Sequence, residues 1–555
     1  MCSKIAQKGE IRFRPYAQDI VIDLPVHLQE LVSDNALAQL INEVVEGLCL
    51  QELSSYYSSQ GSPAYDPRML LKVWLYGYCT KVYTSRSLAK KLREDLVFIW
   101  LAGGQRPCFK TLSSFRSKRM QDIVDVVVSQ VLLYLIEQGY VDLSDLYVDG
   151  SKWEANANKY KIVWRKNTER YKGWVMDRIT GLLQQWQALQ EQEDQIYGRK
   201  DLVEHQSPDQ LQLVMISSDL AARLVGLNKL IAQQKDKTRK GILEKIHRQL
   251  SKEQTKLIKY EAQQSVLAGR NSYSKTDHDA TAMRMKDERL LPGYNAQITT
   301  SKQFIINATL HQTSSDSTTL MPHIASLEQR VEGAVNSDWC PDYTADAGYG
   351  SEENYELLDK KGYVAYVKYP SWYQEHTGQL SKKRFNSYNW FYEPEQDYYL
   401  CPNQKQLHFK EHILKKSRNG YVRQLKVYQS QSCAGCPLFD QCRGAQAKAG
   451  SNRRIFISEK LESYKKQVRT RLASEVGKAK RSQRSVEVET PFANIKYNMG
   501  HRRFLLRGID KVSVEFLLLT LAHNINKIYC LQSGLWQEYY AQRANRKAQK
   551  TKKRA

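Results

Sequence analysis

"DLSDLYVDGSKWEANANKY", Asp142 to Tyr160, interrupts a long helical pattern with a short apolar strand. Leu146–Val148 reads as that strand, and Asp149 stands at its end, just before Gly150. Upstream, residues 1 to about 140 read as helical. Leu70, Leu71, Trp74, Leu75 and Tyr78 make one stripe, and "YTSRSLAKKLRE" (Tyr83–Glu94) restarts a helix behind a Ser/Thr cap with Arg86, Lys90, Lys91 and Arg93 on it. Thr111–Gly139 reads as a further capped helix. A short helix, a turn and a basic helix can dock on DNA, although taken alone the pattern more often describes just a small helical bundle. Downstream, Met176, Ile179, Leu183, Trp186 and Leu189 form one stripe and Leu243, Ile246, Leu250 and Leu257 another. They predict a pair of long helices packed as a hairpin.

Strands return from residue 290. Gly293–Gln312 reads as a hairpin turning near Ser301–Lys302. A helix (Thr318–Gly333), the strand in "DYTADAGYG", the helix "SEENYELLDKKG" and the strand Tyr363–Pro370 follow. That order predicts an α/β core, a mixed sheet with helices packed on it and large insertions. Such sheets place functional residues at the carboxyl ends of strands, where Asp149 and Asp346 both fall. Residues 371–478 read as irregular, aromatic and basic. Val512–Tyr529 reads as an apolar helix, and the tail ending "RANRKAQKTKKRA" reads as disordered.

Composition narrows the class. A chain of 555 residues predicts two to four packed units. Lys and Arg number 83 against 59 Asp and Glu, a net charge of +24, which suits a polyanionic partner. The start, "MCSKIAQKGEIRFRP", has charges where a signal peptide needs an apolar stretch. Apolar runs such as "VEFLLLTLA" (Val514–Ala522) reach about half the ~20 residues of a membrane span. The expectation is a cytoplasmic protein without a membrane partner and with reduced scattered thiols.

"RSVEVETPFANIKYNMGHRRF" (Arg484–Phe504) holds two glutamates, Glu487 and Glu489. Proline is tolerated in a helix's first turn, so Pro491 predicts a helix starting within three residues before it. Glu489 then falls in the first turn and Glu487 outside. Glu489, Phe492 and Lys496 share a face by the 3.6 period, with Arg503 near the same line if the helix survives Gly500. Asp149, Asp346 and Glu489 thus offer three oxygen ligands, suited to Mg²⁺ or Mn²⁺. A pair of such ions serves phosphoryl transfer, and Lys496 with Arg502, Arg503 and Arg507 would hold flanking phosphates. Asp145 and Asp342 share strand parity with the two aspartates, and Glu154, Asp277 and Asp279 are near in sequence; turn capping and surface charge account for these.

Cys401, Cys433, Cys436 and Cys442 combine a C-x₂-C pair with one flanking cysteine on each side. This pattern predicts a structural Zn²⁺ of tetrahedral thiolate type, in a segment with little core of its own.

Over nearly its whole length the sequence resembles the DDE transposases of bacterial insertion sequences, most closely the subgroup numbered eleven-eighty-two. "YDPRMLLKVWLYGY", "SRSLAKKL", "FIWLAGG" and "FKTLSSFR" resemble the amino-terminal domain of that family. "LYVDGSKWEANANKY" and "TADAGYGSEENYELL" resemble its two aspartate segments. "RSVEVETPFANIKYNMGHRRFLLRGIDKV" resembles its glutamate segment, V-E-x-x-F-G-x-I-K. The resemblance places Asp149, Asp346 and Glu489 on the catalytic carboxylates and Lys496 on the lysine seven residues after the glutamate. It departs at Ala493, where the family has glycine. Ser485 stands where the wider superfamily has an arginine four residues before the glutamate, the nearest being Arg484, and a tyrosine three residues before that arginine is also missing.

The resemblance implies an RNase H-like core, preceded by an all-helical DNA-binding domain, that cuts and joins double-stranded DNA using two Mg²⁺ ions. The implied domains are residues 1–140, DNA-binding; 141–163, 276–370 and 479–530, catalytic core; 164–275, helical insertion; 371–478, Cys-rich insertion; and 531–555, basic tail. It further implies action on the element's terminal inverted repeats, with Arg86 on a DNA-reading helix and a homodimer in synapsis. The alternatives are a repurposed DNA-binding protein without chemistry, and a standalone nuclease of the same fold.

Overall fold

The computed structural model describes residue 18 and residues 27–49, 63–197, 216–417, 419–444, 447–448 and 450–535. The tail from Arg543 lies outside the described residues. Two compact units divide the chain, residues 1–154 with 294–555, and residues 155–293.

In the first unit, α1 (Ala36–Glu46), α2 (Pro67–Cys79), α3 (Ser85–Glu94), α4 (Leu96–Leu101), α5 (Phe109–Ser114) and α6 (Met120–Glu137) lead the chain. Their starts follow capping chemistry. Asn35, Asp66, Thr84 and Asp95 each accept a first-turn N–H, and Pro67 takes the first position of α2. The expected helix Thr111–Gly139 carries a π turn, Phe115–Arg119, between α5 and α6. This turn buries Arg116, whose guanidinium lies 4.2 Å from the Trp74 ring and donates to the Tyr83 carbonyl.

β1 (Asp145–Glu154) is longer than the expected three residues, so Asp149 stands mid-strand and not at the strand's end. Gly150 lets the strand continue past its neighbours. A Cβ there would lie 2.4 Å from Gln297 Nε2 and 2.7 Å from Asp316 Oδ1.

The second unit holds β2 (Ile162–Trp164), α7 (Arg165–Tyr197), α8 (Ser217–Gln233), α9 (Lys237–Leu267), β3 (Ser272–Ser274) and β4 (Thr281–Arg284). Three helices, not the expected two, share its core. Leu220, Leu224 and Leu227 of α8 pack with Ile179 and Leu183 of α7 and Ile246 and Leu250 of α9.

β5 (Leu290–Ser301) leads back into the first unit. β6 (Phe304–His311), α10 (Leu320–Val331), β7 (Asp342–Ala345), α11 (Glu352–Lys360) and β8 (Val364–Val367) follow, close to their expected places. The β5–β6 turn sits on Lys302 and Gln303, both at positive φ (49° and 63°), which matches the strand twist. The central sheet runs β5–β1–β7–β8, with β6 on β5; β1, β7 and β8 are parallel.

Residues 371–478 are not irregular. After α12 (Trp372–His376), β9 (Phe391–Glu393), β10 (Tyr398–Leu400), β11 (Gln406–Lys416), β12 (Val422–Ser430) and, beyond α13 (Phe439–Arg443), β13 (Arg454–Ile457) make an antiparallel sheet in the order 13-12-11-10-9. Trp390, Leu407, Tyr428 and Ile455 form its small core. α14 (Glu459–Ala473), α15 (Glu475–Ala493) and α16 (Ile509–Gln532) complete the unit, and α16 packs on β6, α2 and α6. Among the described residues no helix is long and apolar enough to cross a membrane.

Candidate active site

The β1–β7 register sets Val148 opposite Ala345, so Asp149 and Asp346 are the next residues of two parallel neighbours. The helix α15 faces this pair of strands. Lys480 pairs with Asp145 and lies 2.6 Å from Asp342, which gives those two rivals a structural partner. One helical turn on, Arg484 reaches the next pair. Its Nη1 is 3.5 Å from Asp149 Oδ2 and its Nη2 3.8 Å from Asp346 Oδ1. Lys368 Nζ stands 3.8 Å from the same Asp346 oxygen. Burial pushes the Asp149 carboxyl up to about 6, against the opposing pull of Arg484 and of the Gly150 N–H, and Asp346 and Asp316 add to the rise. Arg484 Nη1 is buried and makes no hydrogen bond.

Asp316 is a third carboxylate that the sequence reading passed over. Asn295 Nδ2 (2.7 Å) and Gln297 Nε2 (3.1 Å) donate to its Oδ1. A Cβ on Gly348, two residues past Asp346, would lie 3.2 Å from its Oδ2. Asp316 is therefore seated between the glycines that follow the two aspartates. In the sequence, "SSDS" ahead of a helix looks like capping, which hid it. Arg484 was legible as the arginine nearest the position four residues before the glutamate, without a sign of its partners.

The glutamate segment corrects three expectations. Pro491 lies inside α15, near its end, and the helix runs on as a π turn, Asn494–Asn498. Proline removes only the bond to the Glu487 carbonyl, and the π turn takes up the change of spacing. Glu487 is within the helix and buried, and its carboxylate accepts the Gln303 N–H (2.5 Å) and Gln483 Nε2 (2.8 Å). The helix does not survive Gly500, whose φ is 73°, so Arg503 leaves the Glu489 line. Glu489 is exposed. It comes five residues after Arg484, about 140° round a regular helix from the side chain that faces the aspartates. Among the described residues no three His, Cys, Asp or Glu side chains converge to hold a metal ion.

The cations are dispersed. Lys496 Nζ donates to Ser151 Oγ (2.6 Å) and the Lys152 carbonyl (2.9 Å) and lies 4.1 Å from the Trp153 ring, tying it to β1 just beyond Asp149. Arg502 lies over Tyr497 (4.9 Å), Arg503 lies 3.4 Å from Glu154, and Arg507 is exposed. The loop carrying them is fixed by buried Glu515, which accepts the Leu505 and Leu506 N–H groups and meets His501 at 2.9 Å. Arg86 is exposed on α3 and lies 5.0 Å from the Phe109 ring.

Cys401, Cys433, Cys436 and Cys442 line one cavity of about 20 Å³, room for a single ion or water. Cys433 Sγ accepts the Arg453 N–H (3.3 Å), and Cys436 Sγ accepts from Asn403 Nδ2 (3.5 Å). Burial raises the Cys442 thiol. The four sulfurs share the cavity without standing at ligating distances.

Comparison with known families gives two matches. Residues 400–529 match the family described as "Transposase DDE domain", and residues 26–118 match "Transposase domain (DUF772)". Both support a DDE transposase of insertion-sequence type. The first match takes in the four cysteines, Arg484 and Glu489, the second Arg86, and neither takes in Asp149 or Asp346. No curated protein and no solved structure matches the chain.

Proposed function

We propose that this chain is a DNA transposase that cuts and joins strands at the ends of its own element, on an RNase H-like core. The observation that carries the reading is the pairing of Asp149 and Asp346 on adjacent parallel strands, around one arginine, in a chain with two transposase-family matches. The all-oxygen donor set fits hard divalent cations such as Mg²⁺ or Mn²⁺. Asp149 and Asp346 would hold such ions, which when bound polarise the scissile phosphate and its attacking oxygen. Glu489 is the third carboxylate by its place seven residues before Lys496. Pro491 and the π turn make this end of α15 the part able to change helical register toward the pair.

The chain's own groups do the rest. Arg484 sets a positive charge against the aspartate pair before DNA arrives and opposes the rise that burial imposes on Asp149. Lys496 braces the segment of β1 that follows Asp149. Arg502, Arg503 and Arg507 offer phosphate contacts, and the amino-terminal helices with Arg86 bind duplex DNA. Synapsis of two ends calls for a homodimer. The four cysteines fit a structural Zn²⁺ in chemistry and in sharing one ion-sized cavity. A DNA-binding protein without chemistry would need no paired aspartates. A single-turnover assay on duplexes carrying the element's flanking repeats tests the reading, with strand transfer separating a transposase from a nuclease.

A further inference from the structure

The second unit turns aromatic side chains outward. Ile179 and Leu183 of α7 face the three-helix core, while Trp174 is 52% exposed and Tyr171, one turn before it, is exposed as well. A Trp and a Tyr of this size ordinarily supply core area, and on a self-contained helical bundle their exposure calls for an occupant. Tyr171 and Trp174 meet at 5.4 Å, edge to face, and Tyr260 of α9, half-buried against the three-helix core, borders them at 6.2 Å from Tyr171. Cations are interleaved with the rings. The Arg170 guanidinium lies 5.0 Å from the Tyr171 ring and 5.4 Å from that of Trp174, and Lys259 Nζ lies 5.5 Å from Tyr260.

We propose that this face of Tyr171, Trp174 and Tyr260, with Arg170 and Lys259, is a stacking platform for unpaired DNA bases. Ring faces pair with base faces, and guanidinium and ammonium groups beside them pair with the phosphates between successive bases. A protein partner would find the same apolar area crowded by cations. Duplex DNA hides its base faces and offers only edges and phosphates. Unpaired bases are therefore the occupant that uses both halves of the patch. The inference does not depend on the catalytic assignment, because binding is read without metal and without cleavage.

The test uses the full chain in chelator and two fluorescent strands of equal length and charge, one oligothymidine and one abasic. The intact protein binds the thymidine strand more tightly than the abasic one, since only the first can stack. Tyr171→Ala with Trp174→Ala weakens thymidine binding about five- to 150-fold, the range for loss of one stacked base, and abolishes the preference. Abasic-strand and duplex affinities stay unchanged, and Trp174→Phe restores part of the preference. Equal affinity of the intact protein for both strands overturns the proposal. So does equal loss on duplex and single strand, or a change in oligomeric state as the sole effect of the substitutions, which would make the face a contact between copies of the chain.

Discussion

Arg484 Nη1 stands 3.5 Å from Asp149 Oδ2, buried and without a hydrogen bond of its own. The arginine thus balances charge at the aspartate pair without a bonded geometry to hold it there. Arg484→Ala leaves Asp149 without its cation and Asp346 with Lys368 alone, and lowers the melting temperature in chelator at pH 8. Mg²⁺ takes over the arginine's role, so it raises the melting temperature of Arg484→Ala more than that of the intact protein. Thermal melts across a Mg²⁺ series decide this; identical Mg²⁺ shifts in both proteins would refute it.

Asp149 carries a pH signature. Its carboxyl is raised by burial to about 6 in the fold, so the folded chain holds this proton more tightly than the unfolded chain does. Below about pH 4 both states are protonated and nothing is lost. Stability falls as pH rises through the interval to 6, and above it the cost stays constant at up to about 3 kcal/mol. Asp149→Asn in chelator is accordingly more stable than the intact protein at pH 8 and equal to it near pH 4, while strand cleavage is abolished. Urea unfolding at the two pH values measures the difference, and a variant less stable at pH 8 would contradict it.

The two glutamates separate stability from chemistry. Glu487→Gln weakens a buried acceptor of the Gln303 N–H and removes the charge that steadies Lys527, whose ammonium burial lowers to about 8. It costs about 1–3 kcal/mol and leaves cleavage measurable in the folded fraction. Glu489→Gln, on an exposed position, changes stability by less than about 0.5 kcal/mol and removes cleavage. Asp316→Asn, which weakens the acceptor of Asn295 and Gln297 beside the aspartate pair, lowers cleavage about 10- to 100-fold, as loss of a supporting carboxylate does. If Glu489→Gln cleaves normally and Asp316→Asn does not, Asp316 is the third carboxylate.

Much of the central sheet was legible because its signals are local. The β5–β6 turn, on Lys302–Gln303 and one residue beyond its expected place, the strand before Asp346 and the helix after it rest on alternation, turn residues and caps. The long β11–β12 hairpin was missed because its outward face is mostly polar, which blurs alternation into an irregular pattern. Pro491 misleads for a different reason. A proline in the last turn of a helix loses one bond and has a π turn to relax into, so it marks an end as readily as a start. The partners of Arg484 were out of reach, since its contact with Asp149 joins segments more than three hundred residues apart, and Asp316 stayed hidden because its place depends on tertiary packing against Asn295, Gln297 and the two glycines.

The cysteine cavity predicts about one zinc per chain in protein purified under reducing conditions, lost in Cys433→Ser with Cys436→Ser. Elemental analysis checks this, and the small sheet of β9–β13 loses hydrogen-exchange protection first in the double variant. Full metal-free protection of that sheet would contradict a structural ion.

The central claim is that Asp149 and Asp346 form one metal-dependent strand-cutting site. Its most direct test is single-turnover cleavage of a duplex carrying the element's end, with the intact protein, Asp149→Asn and Asp346→Asn compared at equal DNA occupancy in Mg²⁺. The account predicts nicking at the element boundary by the intact protein alone, with both variants bound to the DNA and inactive. Boundary nicking that persists in either variant, or proceeds equally in chelator, would contradict it.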